Sequence, residues 1–364
     1  MRVGLIVYGG LHERSGGFLY DRKLVEALRR ARAAVQVFAL PWRRYVPQLA
    51  DNFRRGLEQD VLEADLDLLL EDELCHPSLI RLNRRLRQGR RLPIVTIVHH
   101  LRSDESHPAW ALPAYRTIER AYLSSVDGLI CNSRATLRSA RAMAGPARPG
   151  IVVPPAGDHL GRGLPAGAIV ARARRPGPLR VLFLGNLIPR KGLLELIEAL
   201  ARLAPSSWRL LVAGDPEVDP RYTRRIRRTA RRLGLDGGIR FAGALTPARV
   251  AVELRRAHVL AVPSSHEGFG IAYLEGMAYG LPAIAAAHGG ARDLVRDGYN
   301  GYLVDPGNVP ALAERLARLA GDRDRLARMS QAARRTFVGR PTWRSARRRW
   351  VRFLGRFVRP SGLS

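Results

Sequence analysis

Apolar residues recur along this chain in short β-rich runs, each closed by glycine or polar residues and followed by a stretch with helical period. The first run, Val3 to Tyr8, ends at Gly9-Gly10, and Phe18 to Arg30 then reads as an amphipathic helix with Leu24, Val25 and Leu28 inward. Further strands are predicted at Val35 to Leu40, Leu66 to Leu70, Ile94 to Val98 and Gly128 to Cys131. Buried parallel strands alternating with helices make an α/β domain. From Pro154 to Pro178 the chain is dense in Pro and Gly without helical period, which reads as a linker. The alternation then restarts with strands at Arg180 to Leu184, Arg209 to Ala213, Ile239 to Phe241, Val259 to Val262 and Ala283 to Ala286, and helices from Leu193 and around Tyr222 to Leu233. The expected organisation is two doubly wound domains, 1–165 and 175–342, with a ligand cleft between them at the carboxyl ends of their strands. The terminal segment 343–364 is expected to pack back on the first domain.

Composition adds little to this picture until charge is considered. At 364 residues and 46% hydrophobic content, two domains can each bury a core. The formal charge of +29 favours polyanions in general, whether nucleic acid, an anionic bilayer or phosphorylated small molecules. Two cysteines, Cys75 and Cys131, make neither a disulfide framework nor a metal site, and a reducing cytoplasm fits. The apolar run at the start is too short for a signal-peptide core, and no run approaches the roughly 18 apolar residues of a membrane span. Membrane contact is therefore expected only as peripheral attachment to an anionic inner face. The tail, with Trp350, Phe353, Leu354 and Phe357 at helical spacing among arginines, fits either a bilayer-surface helix or a helix packed on its own protein, and the second is preferred. The basic stretch Arg81 to Arg91 has helical Ile80, Leu82 and Leu86 and no interleaved aromatics, so a solvated helix face is expected there and no nucleic-acid partner.

Only two of the 61 Lys and Arg residues are lysine, Lys23 and Lys191. Lys191 stands in LGNLIPRKG, after a strand that ends at Gly185 and beside Arg190, where a helix opens. Unpaired N–H groups at a helix start together with two cations suit a diphosphate. A second motif, PSSHEGFGIAYLEG, sets Glu267 and Glu275 eight residues apart, one in a glycine-rich loop and one in the following helix. One carboxylate could accept from sugar hydroxyls and the other from a ribose diol, or the two could serve as acid and base in glycoside hydrolysis.

The run Glu267-Gly-Phe-Gly-Ile-Ala-Tyr-Leu-Glu275 resembles the E-x7-E signature of the retaining glycosyltransferases of family 4, which have the GT-B fold of two Rossmann-like domains facing across a cleft. The resemblance continues through Leu184-Gly185, Lys191-Gly192, Ala278 to Pro282, Gly289-Gly290 with Asp293, and Asp297-Gly298 with Asn300-Gly301. It implies that Glu267 holds the donor sugar's hydroxyls and Glu275 the ribose. Amides of Gly268, Phe269, Gly270 and Ile271 then lie against sugar and phosphates, and Lys191, helped by Arg190 near Gly185, neutralises the leaving diphosphate. No obligatory metal and no cofactor are implied, so protein cations supply the charge stabilisation. Where the family often carries Arg after the strand glycine, this chain has Asn186. Gly243-Ala244-Leu245 resembles, more weakly, the segment that meets the nucleobase.

The first domain resembles the acceptor half of the family less specifically. Ser15-Gly16-Gly17 matches its glycine-rich loop near donor phosphate and acceptor, and the strand Val95 to Val98 ends in His99-His100, of which His99 is placed near the transferred sugar. Asp65-Leu-Asp67 has D-x-D spacing but precedes its strand and reads as a strand entry. Glu71-Asp72-Glu73 and His76 are expected in a loop after that strand, facing the cleft. The function implied is transfer of a sugar, with retention, from a nucleotide-diphosphate sugar to a glycan, lipid-linked or small-molecule hydroxyl. Epimerase-like action on a nucleotide sugar, or a basic membrane- or nucleic-acid-binding module with a degenerate site, are the alternatives. On this reading Lys191→Ala and Glu267→Ala each remove most transfer and leave the fold intact.

Overall fold

The computed structural model describes residues 1–12, 15–89, 92–105, 107–161 and 163–358. Arg90 and Arg91 of the basic stretch, and the tail from Arg359 onward, lie outside the described residues. The chain forms two units, Met1–Pro155 with the chain from Trp343 onward, and Ala156–Thr342.

Among the described residues the first unit holds strands β1 (Arg2–Tyr8), β2 (Ala34–Leu40), β3 (Leu68–Asp72), β4 (Ile94–Val98), β5 (Gly128–Cys131) and β6 (Gly150–Val152). They form one parallel sheet in the order β2-β1-β3-β4-β5-β6. Central strands β3, β4 and β5 are buried along their whole length, which is why β4, β5 and the first three residues of β3 read as mainly apolar runs. The order reverses between β1 and β3, so the loops at their carboxyl ends diverge and leave a crevice there. The first helix, Gly16–Arg30, begins before its apolar stripe because Ser15 Oγ caps it, accepting from Phe18 N at 3.4 Å.

The second unit repeats the plan with β7 (Leu179–Leu184), β8 (Trp208–Ala213), β9 (Ile239–Gly243), β10 (Val259–Val262), β11 (Ala283–Ala286) and β12 (Gly301–Val304). Their order is β12-β11-β10-β7-β8-β9, again parallel, with the reversal between β7 and β10. Phe183, Trp208, Leu210, Tyr273 and Met277 fill the core around this sheet. The fold class expected from the sequence, α/β with two Rossmann-like halves, is the one observed.

Two expectations are corrected. The segment Pro154 to Pro178 is not an unstructured linker: it contains the helix Ala166–Arg174, which buries Ile169 and Ala173 and packs on the helix Arg323–Val338. Residues 156–165, counted with the first domain, therefore belong to the second unit. The predicted loop Glu71 to Glu73 is also absent, because β3 continues through Asp72 with both carboxylates fully buried.

The tail helix Trp343–Leu354 lies on the helix Gly16–Arg30. Trp350 is fully buried, its ring 5.0 Å from that of Tyr20 and its Nε1 donating to Tyr20 Oη at 3.1 Å, while Phe353 and Leu354 are buried beside it. The apolar stripe is thus used inside the protein. Among the described residues no helix is long and apolar enough to cross a membrane.

Candidate functional site

In the second unit the loops after β7 and β10 meet at the reversal of strand order. After Leu184 the chain turns through a single 3-10 turn, Pro189–Lys191, into the helix Leu193–Leu200. Gly192 joins the two with φ +73, and a Cβ there would stand 2.2 Å from the Pro263 carbonyl oxygen. Only glycine allows β10's loop to come this close. The Lys191 stem lies across Gly185, and its Nζ donates to Glu267 Oε1. The same oxygen accepts from Ser264 Oγ at 2.7 Å. Arg190 completes the cluster, its Nη1 donating to the His266 carbonyl at 2.7 Å.

The electrostatics follow from burial and charge together. Burial alone would push the Glu267 carboxyl up, but the Lys191 ammonium and the Arg190 guanidinium more than offset it and hold the group at about 2. Lys191 is drawn below the ordinary lysine range by burial, an effect that Glu267 partly reverses. Two residues given separate roles by the sequence are therefore one ion pair.

Gly268 to Gly270 continue from Glu267 into the helix Ile271–Ala278. Gly290 N donates to the Glu267 carbonyl at 2.8 Å, so the Gly289-Gly290 turn braces this loop. The Phe269 ring is buried in the core and leaves only its backbone for a ligand. Glu275, a turn into the helix, is half-buried and its Oε1 lies 2.8 Å from His159 Nε2. His159 was missed by sequence reasoning, because its segment reads as a linker. Gly243 ends β9, with Ala244 and Leu245 following at the carboxyl ends of the strands, and Asn186 is half-buried in the loop after β7, its carbonyl accepting from Ile188 N at 2.9 Å.

In the first unit the structure brings His99 and Gly17 together: a Cβ on Gly17 would lie 3.3 Å from the His99 ring. His99 Nε2 is 3.1 Å from Asp21 Oδ1 and 4.0 Å from Asp72 Oδ1, and Tyr20 packs edge-on at 5.4 Å. Burial lowers the imidazole's proton affinity, but Asp21, Asp72 and Glu73 outweigh it and raise the pKa to about 9. Glu73 also accepts from the His99 backbone N at 3.0 Å. Asp72 is raised to about 7 by burial and by Asp21. Asp72 and Glu73 accept from the backbone N of Leu74 and His99, which corrects their expected place in a loop facing the cleft. His76 is likewise internal, with Nδ1 2.9 Å from the Glu73 carbonyl and Nε2 2.9 Å from Tyr45 Oη, and burial lowers it to about 3. His100 turns away to Glu105 Oε1 at 2.9 Å. Asp65 and Asp67 both engage Arg2 at the entry to β3, as the strand-entry reading has it. Ligand atoms of Asp21, Asp72 and His99 lie within 4.8 Å of one another, a spacing a cation could bridge only if the proton between Asp21 and His99 left.

Residues 169–336 match the model of the family described as glycosyl transferases group 1. This stretch is similar to glycosyltransferase group 1 domains. It contains every residue of the Lys191, Glu267 and Glu275 cluster but not His159. The chain is 33% identical over 230 residues to a D-inositol 3-phosphate glycosyltransferase of Nocardia farcinica, covering 61% of this chain and 51% of that protein. A relative of the same name from Corynebacterium efficiens is 34% identical, covering 67% of this chain and 61% of its own length. The chain thus spans between half and two thirds of the length of these relatives. In fold it is similar to a sucrose-phosphate synthase of Thermosynechococcus elongatus, with a TM-score of 0.83 at 23% identity over 98% of each chain. The matched stretch and the first unit together therefore have the GT-B fold.

Proposed function

We propose that this chain is a retaining glycosyltransferase that moves a sugar from a nucleotide-diphosphate donor to a hydroxyl on a glycan, lipid-linked or small-molecule acceptor. The observation that carries this reading is the Lys191–Glu267 pair at the reversal between β7 and β10, within the stretch similar to group 1 domains. An ammonium has three donors, so Lys191 can hold Glu267 with one and meet the leaving diphosphate with the others. Glu267 Oε1 is taken by Lys191 and Ser264, which leaves Oε2 to accept from the donor sugar's hydroxyls. Arg190 adds a second cation in the place of the arginine that Asn186 does not supply. These fixed charges stabilise the departing diphosphate without an obligatory metal. The acceptor hydroxyl attacks from the side the leaving group vacates, and a donor phosphate oxygen takes its proton, so no side chain has to be a strong base. Glu275 clasps the ribose, and His99 contacts the transferred sugar.

The test is a panel of UDP-, GDP- and ADP-sugars with the full chain, reading release of the nucleoside diphosphate and transfer to added acceptors, with and without chelator. Turnover with one donor, retained in chelator, and an α-linked product from an α-linked donor are expected. Failure to release nucleoside diphosphate from any donor would overturn the assignment.

A further inference from the structure

The segment between the first unit and the helix Ala166–Arg174 is held against the helix Ile271–Ala278 at three points. A Cβ on Gly157 would lie 3.0 Å from the Leu274 carbonyl, and one on Gly163, at φ +73, would lie 1.8 Å from the Ala278 oxygen. Between them Tyr279 Oη donates to the Leu160 carbonyl at 2.6 Å. A side chain at Gly163 would collide with the helix backbone and one at Gly157 would be tight against it, so at both glycines the backbone lies directly on the helix as a strap. The strap's one turn of 3-10 helix, Asp158–Leu160, delivers His159 to Glu275.

We propose that His159 is a positioning residue for Glu275, and that the two together form the ribose clasp of the nucleotide site. The inference rests on the glycosyltransferase reading given above. Glu275 projects from a helix with three rotatable bonds, and an unrestrained carboxylate there would sample several rotamers. Binding His159 at Oε1 fixes the carboxylate plane and leaves Oε2 to accept from a ribose hydroxyl, so less rotamer freedom is lost when nucleotide binds.

The experiment is calorimetric titration of the full chain with UDP, GDP and ADP, each beside its 2′,3′-dideoxy counterpart. The wild type is expected to bind one ribonucleotide more tightly than the dideoxy form. His159→Ala should weaken that ribonucleotide about tenfold, as loss of one hydrogen bond to a charged group implies, and leave the dideoxy form unchanged. His159→Gln, which can still donate, should recover most of the difference. Unchanged or tighter ribonucleotide binding in His159→Ala overturns the proposal, as does equal weakening of both forms, which is what damage to the strap alone would give. No binding of any ribonucleotide by the wild type overturns the glycosyltransferase reading and this inference with it.

Discussion

Lys191 and Glu267 depend on each other because the half-buried ammonium is the main counter-charge of a buried carboxylate, and this changes what their substitution does. Removing one partner of a buried pair leaves the other uncompensated, at a cost of about 3 kcal/mol or more. The expectation that Lys191→Ala leaves the fold intact is therefore revised. Glu267 has a folded pKa of about 2, below its unfolded value, so its pairing stabilises the protein above roughly pH 4.5 and that contribution is lost as pH falls toward 2. Lys191→Met should accordingly be less stable than wild type by about 3 kcal/mol at pH 7, with the gap clearly smaller at pH 3, as read from urea unfolding at both pH values. The double variant Lys191→Met/Glu267→Gln should recover most of the stability and none of the transfer. At His99 the sign is opposite. Its pKa is raised to about 9, so its pairing with Asp21 is stabilising below about pH 6.5 and is lost as pH rises through 9. The His99 imidazole resonance should titrate near 9 in the wild type and at distinctly lower pH in Asp21→Asn. Coincident titrations would show that Asp21 does not hold the proton.

At the scale of elements, the strands legible in the sequence are mostly continuous apolar runs buried in a sheet, and the half-exposed edge strands β2 and β9 are legible beside them because they are rich in β-branched and aromatic residues. β1, β4, β5, β7, β10 and β11 are short continuous apolar runs ended by polar or glycine residues, and burial on two faces is what makes such runs. Edge strands β6 and β12 are not legible because, at three and four residues, each is too short for a period to develop, unlike the longer edge strands β2 and β9. β3 was cut short at Leu70 because two acids follow, and acids ordinarily mark a loop; Asn83 and Leu74 supply the donors that allow them inside. The site was legible where its chemistry lies within one loop and helix, as for Glu267 and Glu275. It was not legible where chemistry is made across strands. Lys191 and Glu267 are 76 residues apart and meet only because β7 and β10 are neighbours, and His159 reaches Glu275 only because two glycines let a glycine-rich strap lie on a helix.

At the scale of the whole molecule, the chain leaves the first unit at Pro155, builds the second, and returns to the first at Trp343. The tail helix then completes a core that the first 155 residues leave open. Tyr20 is the centre of that closure: its ring receives Trp350 on one side and His99 on another, and its hydroxyl donates to the Val153 carbonyl at 2.8 Å. A bilayer could take the tail's apolar stripe only by withdrawing Trp350, Phe353 and Leu354 from this core, which burial of three large side chains opposes. Arg344, Arg348, Arg349 and Arg352 of the same helix stay exposed and carry its charge without its apolar face. Trp350→Ala should therefore destabilise the first unit by about 3 to 5 kcal/mol, the range for truncating a buried aromatic. Hydrogen exchange resolved by peptide gives the check: amides of the helix Gly16–Arg30 and of β1 should exchange faster in the variant, while those of β7 to β12 keep their wild-type rates. Equal acceleration in both units would mean that the tail supports the molecule as a whole, and unchanged exchange in the first unit would mean that Trp350 closes nothing.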